Sequence, residues 1–319
     1  MPCASETQPE ASPPYASVEA MALHSRSSES KLSNIMSAIR SIGVVGAGTM
    51  GNGIAQVFAQ AGFNVYLQDT VLDALDRART TIEASLGRLV SKNILRQDER
   101  DATLERLSTV RDLGAFSEVD YIVEAIIEDT DAKKNLFTAL DSLVGSSVIL
   151  ASNTSSISIS TLAAATARPD RVIGMHFMNP APLMPLVELV KGQHTSQETM
   201  AAAAALCDRL EKTAVESADR PGFIANRILM PMINEAIYAL MDNVGTAEAI
   251  DTVMKLGMKH PMGPLALADL IGLDVCLDIM QVLHEGFGDD KYQPCPLLRK
   301  MVEARTLGRK TGAGFYNYS

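Results

Sequence analysis

The chain has 319 residues, 47% of them hydrophobic and 21% charged, which suits a globular protein with room for two domains and excludes disorder of the whole. A formal net charge of -10 argues against nucleic acid as a partner, because phosphate backbones are bound by surplus Lys and Arg. The four cysteines, Cys3, Cys207, Cys276 and Cys295, lack C-x-x-C spacing, so neither a metal site nor a disulfide framework is expected, and no apolar run reaches the roughly 20 residues that span a bilayer.

Residues 1–40 are rich in Ser, Ala and Pro without sustained periodicity and read as a mostly disordered extension. A mitochondrial transit peptide is Arg-rich and poor in acids, whereas Glu6, Glu10, Glu19 and Glu29 outnumber the basic residues before Ser41. A reducing, cytoplasmic location is expected, with the mitochondrial matrix as the alternative if the extension is a targeting segment. Met36 lies just before the first strand, and translation beginning there is one reading of the extension.

From Ser41 short apolar runs alternate with helical stretches: IGVVGA, GIAQVFAQAG and NVYLQD. That alternation predicts βαβ units on a parallel sheet, a Rossmann-type doubly wound α/β domain over residues 41–219. Further strands are expected at YIVEAII near Tyr121, SVILAS near Val148, RVIGMHF near Val172 and PLVELV near Leu186, with helices around Leu75, Leu136 and Leu162. After Arg220 the texture changes. The run PGFIANRILMPMINEAIYALMDN places Ile224, Ile228, Leu229, Met232, Ile233, Ile237 and Leu240 at helical spacing, and no convincing strand follows. Residues 220–319 are therefore expected to form an all-helical second domain.

Gly46, Gly48 and Gly51 form G-x-G-x-x-G between a strand and a helix, the context this pattern requires. The first glycine permits the tight turn, the second lets backbone approach a pyrophosphate, and the third lets helix pack on strand. Thr49 and Met50 belong to the same loop. Asp69 ends the next strand about 20 residues on, where its carboxylate suits a ribose and repels a 2'-phosphate, which favours NAD over NADP.

His176 ends RVIGMHF, and Glu188 sits within PLMPLVELVKG, an otherwise apolar strand. A carboxylate on a buried strand is costly unless paired, and an imidazole is a partner that gains a fixed tautomer in return. Taken alone, a histidine is more often structural than basic. Ser155, in ASNTSSIS after another strand, is a possible donor, although such serines usually serve turns. Asn226 shares a helical stripe with Met230, Ile233 and Ile237, so its amide needs a polar partner; a local helix-end bond is the plainer reading.

GAGTMGNGIA, VEAIIED, SNTSS, GMHFMNPAPLMPLVEL, DRPGFIANRIL and RKTGAGFY resemble the 3-hydroxyacyl-CoA dehydrogenase family, particularly its short bacterial type acting on 3-hydroxybutyryl-CoA. The resemblance covers everything from Ser41 to Ser319. It implies that His176 is the catalytic base and Glu188 its orienting carboxylate, with Ser155 and Asn226 contacting the substrate's 3-oxygen. It also implies cofactor contacts from Glu128, Lys133 and Asn153, an acyl-CoA substrate and a homodimer made by the helical domain. Lys92 becomes a candidate contact for the CoA phosphates, against its plainer reading as a solvated helix-face lysine. His260, in HPMGPLALADLIGLD, reads as structural.

Two rival functions stand beside this one. An NAD-dependent dehydrogenase of a small hydroxy acid such as gulonate or carnitine has a similar fold and dyad, but needs only an enclosed carboxylate clamp rather than a basic rim and a channel. A non-catalytic structural relative is the other, and it would have no need of Ser155, His176, Glu188 and Asn226 together.

Overall fold

The computed structural model describes residues 39–318. The expectations for the N-terminal extension and for a start at Met36 lie outside the described residues, apart from Ile39 and Arg40.

Eight strands form one sheet: β1 (Ser41–Val45), β2 (Asn64–Gln68), β3 (Leu107–Val110), β4 (Tyr121–Glu124), β5 (Ile149–Ser152), β6 (Val172–Phe177), β7 (Leu186–Lys191) and β8 (Thr213–Ala218), in the order β3-β2-β1-β4-β5-β6-β7-β8. Around them run α1 (Thr49–Gln60), α2 (Leu72–Ser91), α3 (Gln97–Glu105), α4 (Thr130–Leu143), α5 (Ile159–Ala163) and α6 (Gln197–Arg209). Every residue of β4, β5 and β6 is buried, as expected for strands covered on both faces. Alternate residues feed two cores. Ile42, Val44 and Val123 pack with Ile54 and Phe58 of α1, Ile82 of α2 and Leu206 of α6, whereas Val45 and Ile122 pack with Phe137 of α4 and Leu162 of α5. Each such side chain contributes about 1.5–3 kcal/mol on burial.

Three features differ from the expected sheet. β3 and β8 are additional strands, and β7 runs antiparallel to β6. The reason for the reversal is local: residues 178–185 join β6 to β7 without a helix, and a parallel return needs a crossover of about a dozen residues or more. β8 then pairs parallel to β7 through the crossover helix α6.

Beyond β8 the chain is helical, with α7 (Ala225–Met241), α8 (Ala247–Thr252), α9 (Pro264–Ile271), α10 (Leu273–Phe287) and α11 (Pro296–Glu303). A separate core joins Met230, Ile233 and Ile237 of α7 to Leu265 of α9, Met280 and Leu283 of α10, and Leu298 of α11. Ile224 and Ile228 leave the expected apolar stripe and stay exposed.

Candidate active site

The order of the sheet reverses between β1 and β4, and ligands of open α/β sheets bind in the crevice beyond the carboxyl ends at such a point. The glycine loop lies there. Gly46 has φ +98°, and a Cβ on it would lie 2.5 Å from the Ala125 carbonyl oxygen. A Cβ on Gly51 would sit 1.7 Å from the Gly46 carbonyl oxygen. Gly48 differs, because a Cβ there meets nothing within 4 Å. Folding demands the first and third glycines; the second leaves open space before the N-terminus of α1.

Gly48 is the N-cap of α1, and no side chain caps that end. Thr49 and Met50 begin the first turn, so the turn's N–H groups remain available to an anion. Asp69 follows β2 beside this loop. Its Oδ2 accepts from Ala47 N at 2.8 Å and its Oδ1 from Val71 N at 2.9 Å, which fixes the carboxylate against the glycine loop.

His176 and Glu188 occupy one rung of the antiparallel β6/β7 pair. Directly opposed residues point to the same face with Cβ atoms about 5 Å apart. The contact follows, with Nδ1 of His176 2.8 Å from Oε2 of Glu188 and both side chains buried. The other Glu188 oxygen, Oε1, accepts from Ile224 N at 3.0 Å and Ala225 N at 2.9 Å, at the start of α7. Burial alone would push this carboxyl up, but the His176 bond and the helix N–H groups hold it below the usual carboxylate range. The ring tautomer that donates from Nδ1 to this carboxylate has its lone pair on Nε2.

Most of the remaining predicted groups sit just past β4 and β5, in the first turn of α4 and at the start of α7. Asn153 accepts from Phe177 N through Oδ1 at 2.9 Å, tying the end of β5 to the residue after His176. Asn226 donates from Nδ2 to the Ser155 carbonyl at 3.1 Å, so the helical domain touches the Ser155 loop directly. This interdomain bond replaces the local helix-end bond of the plainer reading. Glu128 receives the loop: its Oε1 accepts from Ser155 N at 2.9 Å, Ser156 N at 3.1 Å and Thr154 Oγ1 at 2.5 Å. Burial would raise the Glu128 carboxyl, but the Lys133 ammonium and these donors hold it below its ordinary value.

Lys133 is itself buried, with Nζ 3.3 Å from Glu128 Oε2 and 2.5 Å from Glu124 Oε1. Glu124 was not among the residues singled out from sequence. The signal was available, because YIVEAII places a carboxylate in an apolar strand just as PLVELV does. Lys92 is not gathered with the others. It is the C-cap of the 20-residue α2, which starts just past Asp69, and a helix of that length extends about 30 Å. No group of three or more candidate metal ligands occurs among the described residues.

Residues 41–220 match the model of the 3-hydroxyacyl-CoA dehydrogenase NAD-binding domain, and residues 222–318 match that of the same family's C-terminal domain. The chain belongs to the 3-hydroxyacyl-CoA dehydrogenase family. This dehydrogenase is 55% identical over 276 residues to a probable 3-hydroxybutyryl-CoA dehydrogenase of Deinococcus radiodurans, covering 86% of this chain and 99% of that one. It is 52% identical to the 3-hydroxybutyryl-CoA dehydrogenase of Bradyrhizobium diazoefficiens, over 88% of this chain and 96% of the relative. The crystal structure of (S)-3-hydroxybutyryl-CoA dehydrogenase from Ralstonia eutropha superimposes with a TM-score of 0.86 at 49% identity, over 88% of this chain and all of that one. The family's cofactor is NAD, and the open Gly48 cradle and the uncapped α1 fit its pyrophosphate. The expected fold and family, enzyme and cofactor are thereby borne out.

Proposed function

We propose that this protein interconverts 3-hydroxybutyryl-CoA and acetoacetyl-CoA, with His176 as general base and Glu188 as its orienting carboxylate. The observation that carries the reading is the His176–Glu188 rung, 2.8 Å between Nδ1 and Oε2, in a family of acyl-CoA dehydrogenases.

NAD, when bound, supplies the hydride acceptor for the alcohol and, reduced, the donor for the ketone. The protein's own work is proton handling. Nε2 of His176 takes the 3-hydroxyl proton, and Glu188 stabilises the imidazolium that forms. In reduction the imidazolium returns the proton to the 3-oxygen. Ser155 and Asn226 contact that oxygen and polarise it. Glu128, Lys133 and Asn153 serve the cofactor, and Asp69 rejects a 2'-phosphate by charge.

The helical domain leaves Val244, Val253, Leu256 and Met258 more than half exposed, which supports a homodimer formed through this body. Cys207, Cys276 and Cys295 are buried free thiols, which suits a reducing, cytoplasmic location. No helix among the described residues is long and apolar enough to cross a membrane.

The test is NADH oxidation with acetoacetyl-CoA, repeated with NADPH and with acetoacetate lacking CoA. Turnover confined to NADH and the thioester supports the reading. Tight NADH binding with no turnover of acetoacetyl-CoA sinks it, and turnover of the free acid then selects the small-acid dehydrogenase.

A further inference from the structure

We propose that Glu124 is a positioning residue that presents Ser155 to the substrate's 3-oxygen. The inference rests on the proposed role of Ser155.

Glu124 ends β4 and is wholly buried. A carboxylate in that position is strongly destabilising unless its lone pairs are met. All its neighbours are donors. Oε1 accepts from Ile126 N at 2.7 Å and from Lys133 Nζ at 2.5 Å, and Oε2 accepts from Ser152 Oγ at 2.6 Å. The proposed chemistry gives Glu124 no proton to move, since His176 and Glu188 already account for it.

Two arms leave this carboxylate and converge on one segment. Along the first, the Ser152 hydroxyl donates to Glu124 and accepts from Thr154 N at 3.1 Å. Along the second, Lys133 reaches Glu128 at 3.3 Å, and Glu128 binds Thr154, Ser155 and Ser156 through their main-chain or hydroxyl groups. Glu124 also takes the Asn153 amide on its own carbonyl at 2.8 Å. The loop from Asn153 to Ser156 is thus suspended from β4 and α4 through the buried Glu124–Lys133 pair.

Glu124→Gln keeps the shape but replaces one oxygen with NH2. Because Ile126, Lys133 and Ser152 all point donors at it, at least one of them must give up or reverse its present hydrogen bond. Small misplacements near reacting atoms lower turnover by up to about 100-fold, so a fall of about 10- to 100-fold in kcat with acetoacetyl-CoA is expected. Measurements are made where circular dichroism shows each variant folded.

The decisive readout is a double-mutant cycle with Ser155→Ala. If Glu124 acts through Ser155, the E124Q/S155A enzyme is no slower than S155A alone. Full additivity, or a wild-type kcat for E124Q beside a slow S155A, overturns the inference. Should E124Q fail to fold, Ser152→Ala breaks only the first arm and is put through the same cycle. A wild-type kcat for S152A, or its additivity with S155A, then overturns it. Wild-type turnover by S155A itself fails the Ser155 reading instead, so the two failures are separable.

Discussion

His176 and Glu188 face each other on one rung of the β6/β7 pair, the antiparallel step in a sheet whose other neighbouring strands run parallel. In a parallel arrangement these two positions would not be brought into register by so short a connection. The eight-residue stretch from 178 to 185 is what places an imidazole against a carboxylate.

Replacing His176 by Gln removes the base while keeping a polar side chain of similar reach. Turnover of acetoacetyl-CoA should fall by about 100- to 10,000-fold, the usual worth of general acid-base catalysis. NADH affinity, read by fluorescence titration, should hold. Undiminished turnover would end the assignment.

Glu188→Gln tests charge at constant shape. The folded-state carboxyl is held below its ordinary value, so its contribution to stability is fully present above the unfolded value of about 4.3 and is lost as pH falls through the folded one. Wild type should therefore exceed E188Q in Tm at pH 7, and the gap should narrow below about pH 4. A gap independent of pH would show that the charge contributes nothing.

Gly48 and Gly51 should separate folding from binding. Gly51→Ala drives a Cβ to 1.7 Å from the Gly46 carbonyl oxygen, and a large drop in Tm is expected. Gly48→Ala meets only open space, so Tm should stay near wild type while NADH binding weakens markedly. Calorimetry and titration of both variants check this; wild-type NADH affinity in G48A would remove the pyrophosphate from that position.

Asp69→Asn should narrow the preference for NADH over NADPH. The carboxylate also holds Ala47 N and Val71 N, and charged hydrogen bonds contribute about 1.5–3 kcal/mol each, so NADH affinity should itself fall roughly tenfold or more. Comparing kcat/KM for the two cofactors decides. An unchanged ratio would mean that discrimination lies elsewhere.

Leu256→Glu places a charge on the exposed apolar surface of the helical domain, where Leu256 is 78% exposed in the single chain. Sedimentation should show a dimer for wild type and a shift toward monomer for the variant. A wild-type monomer would remove the homodimer.

The glycine loop, the dyad residues and most strands were legible because each couples a chemical need to a local pattern. β3 and β8 were not, since LSTV and TAVESA lie at the two edges of the sheet and are largely exposed, which gives them no apolar run. Strand direction was equally hidden, because a period of two residues is the same in either sense. Glu124 was missed although the argument used for Glu188 applies to it unchanged.

The second oxygen of Glu188 joins the two bodies of the protein. It grips the first amides of α7, so the carboxylate that partners His176 is also a splint across the seam between sheet and helices. Asn226, the next residue along, ties the same seam to the Ser155 carbonyl. A swing that opened the seam would strand the carboxylate and slacken the imidazole in a single motion. The imidazole thus keeps a braced partner only while sheet and helices stay joined at this carboxylate.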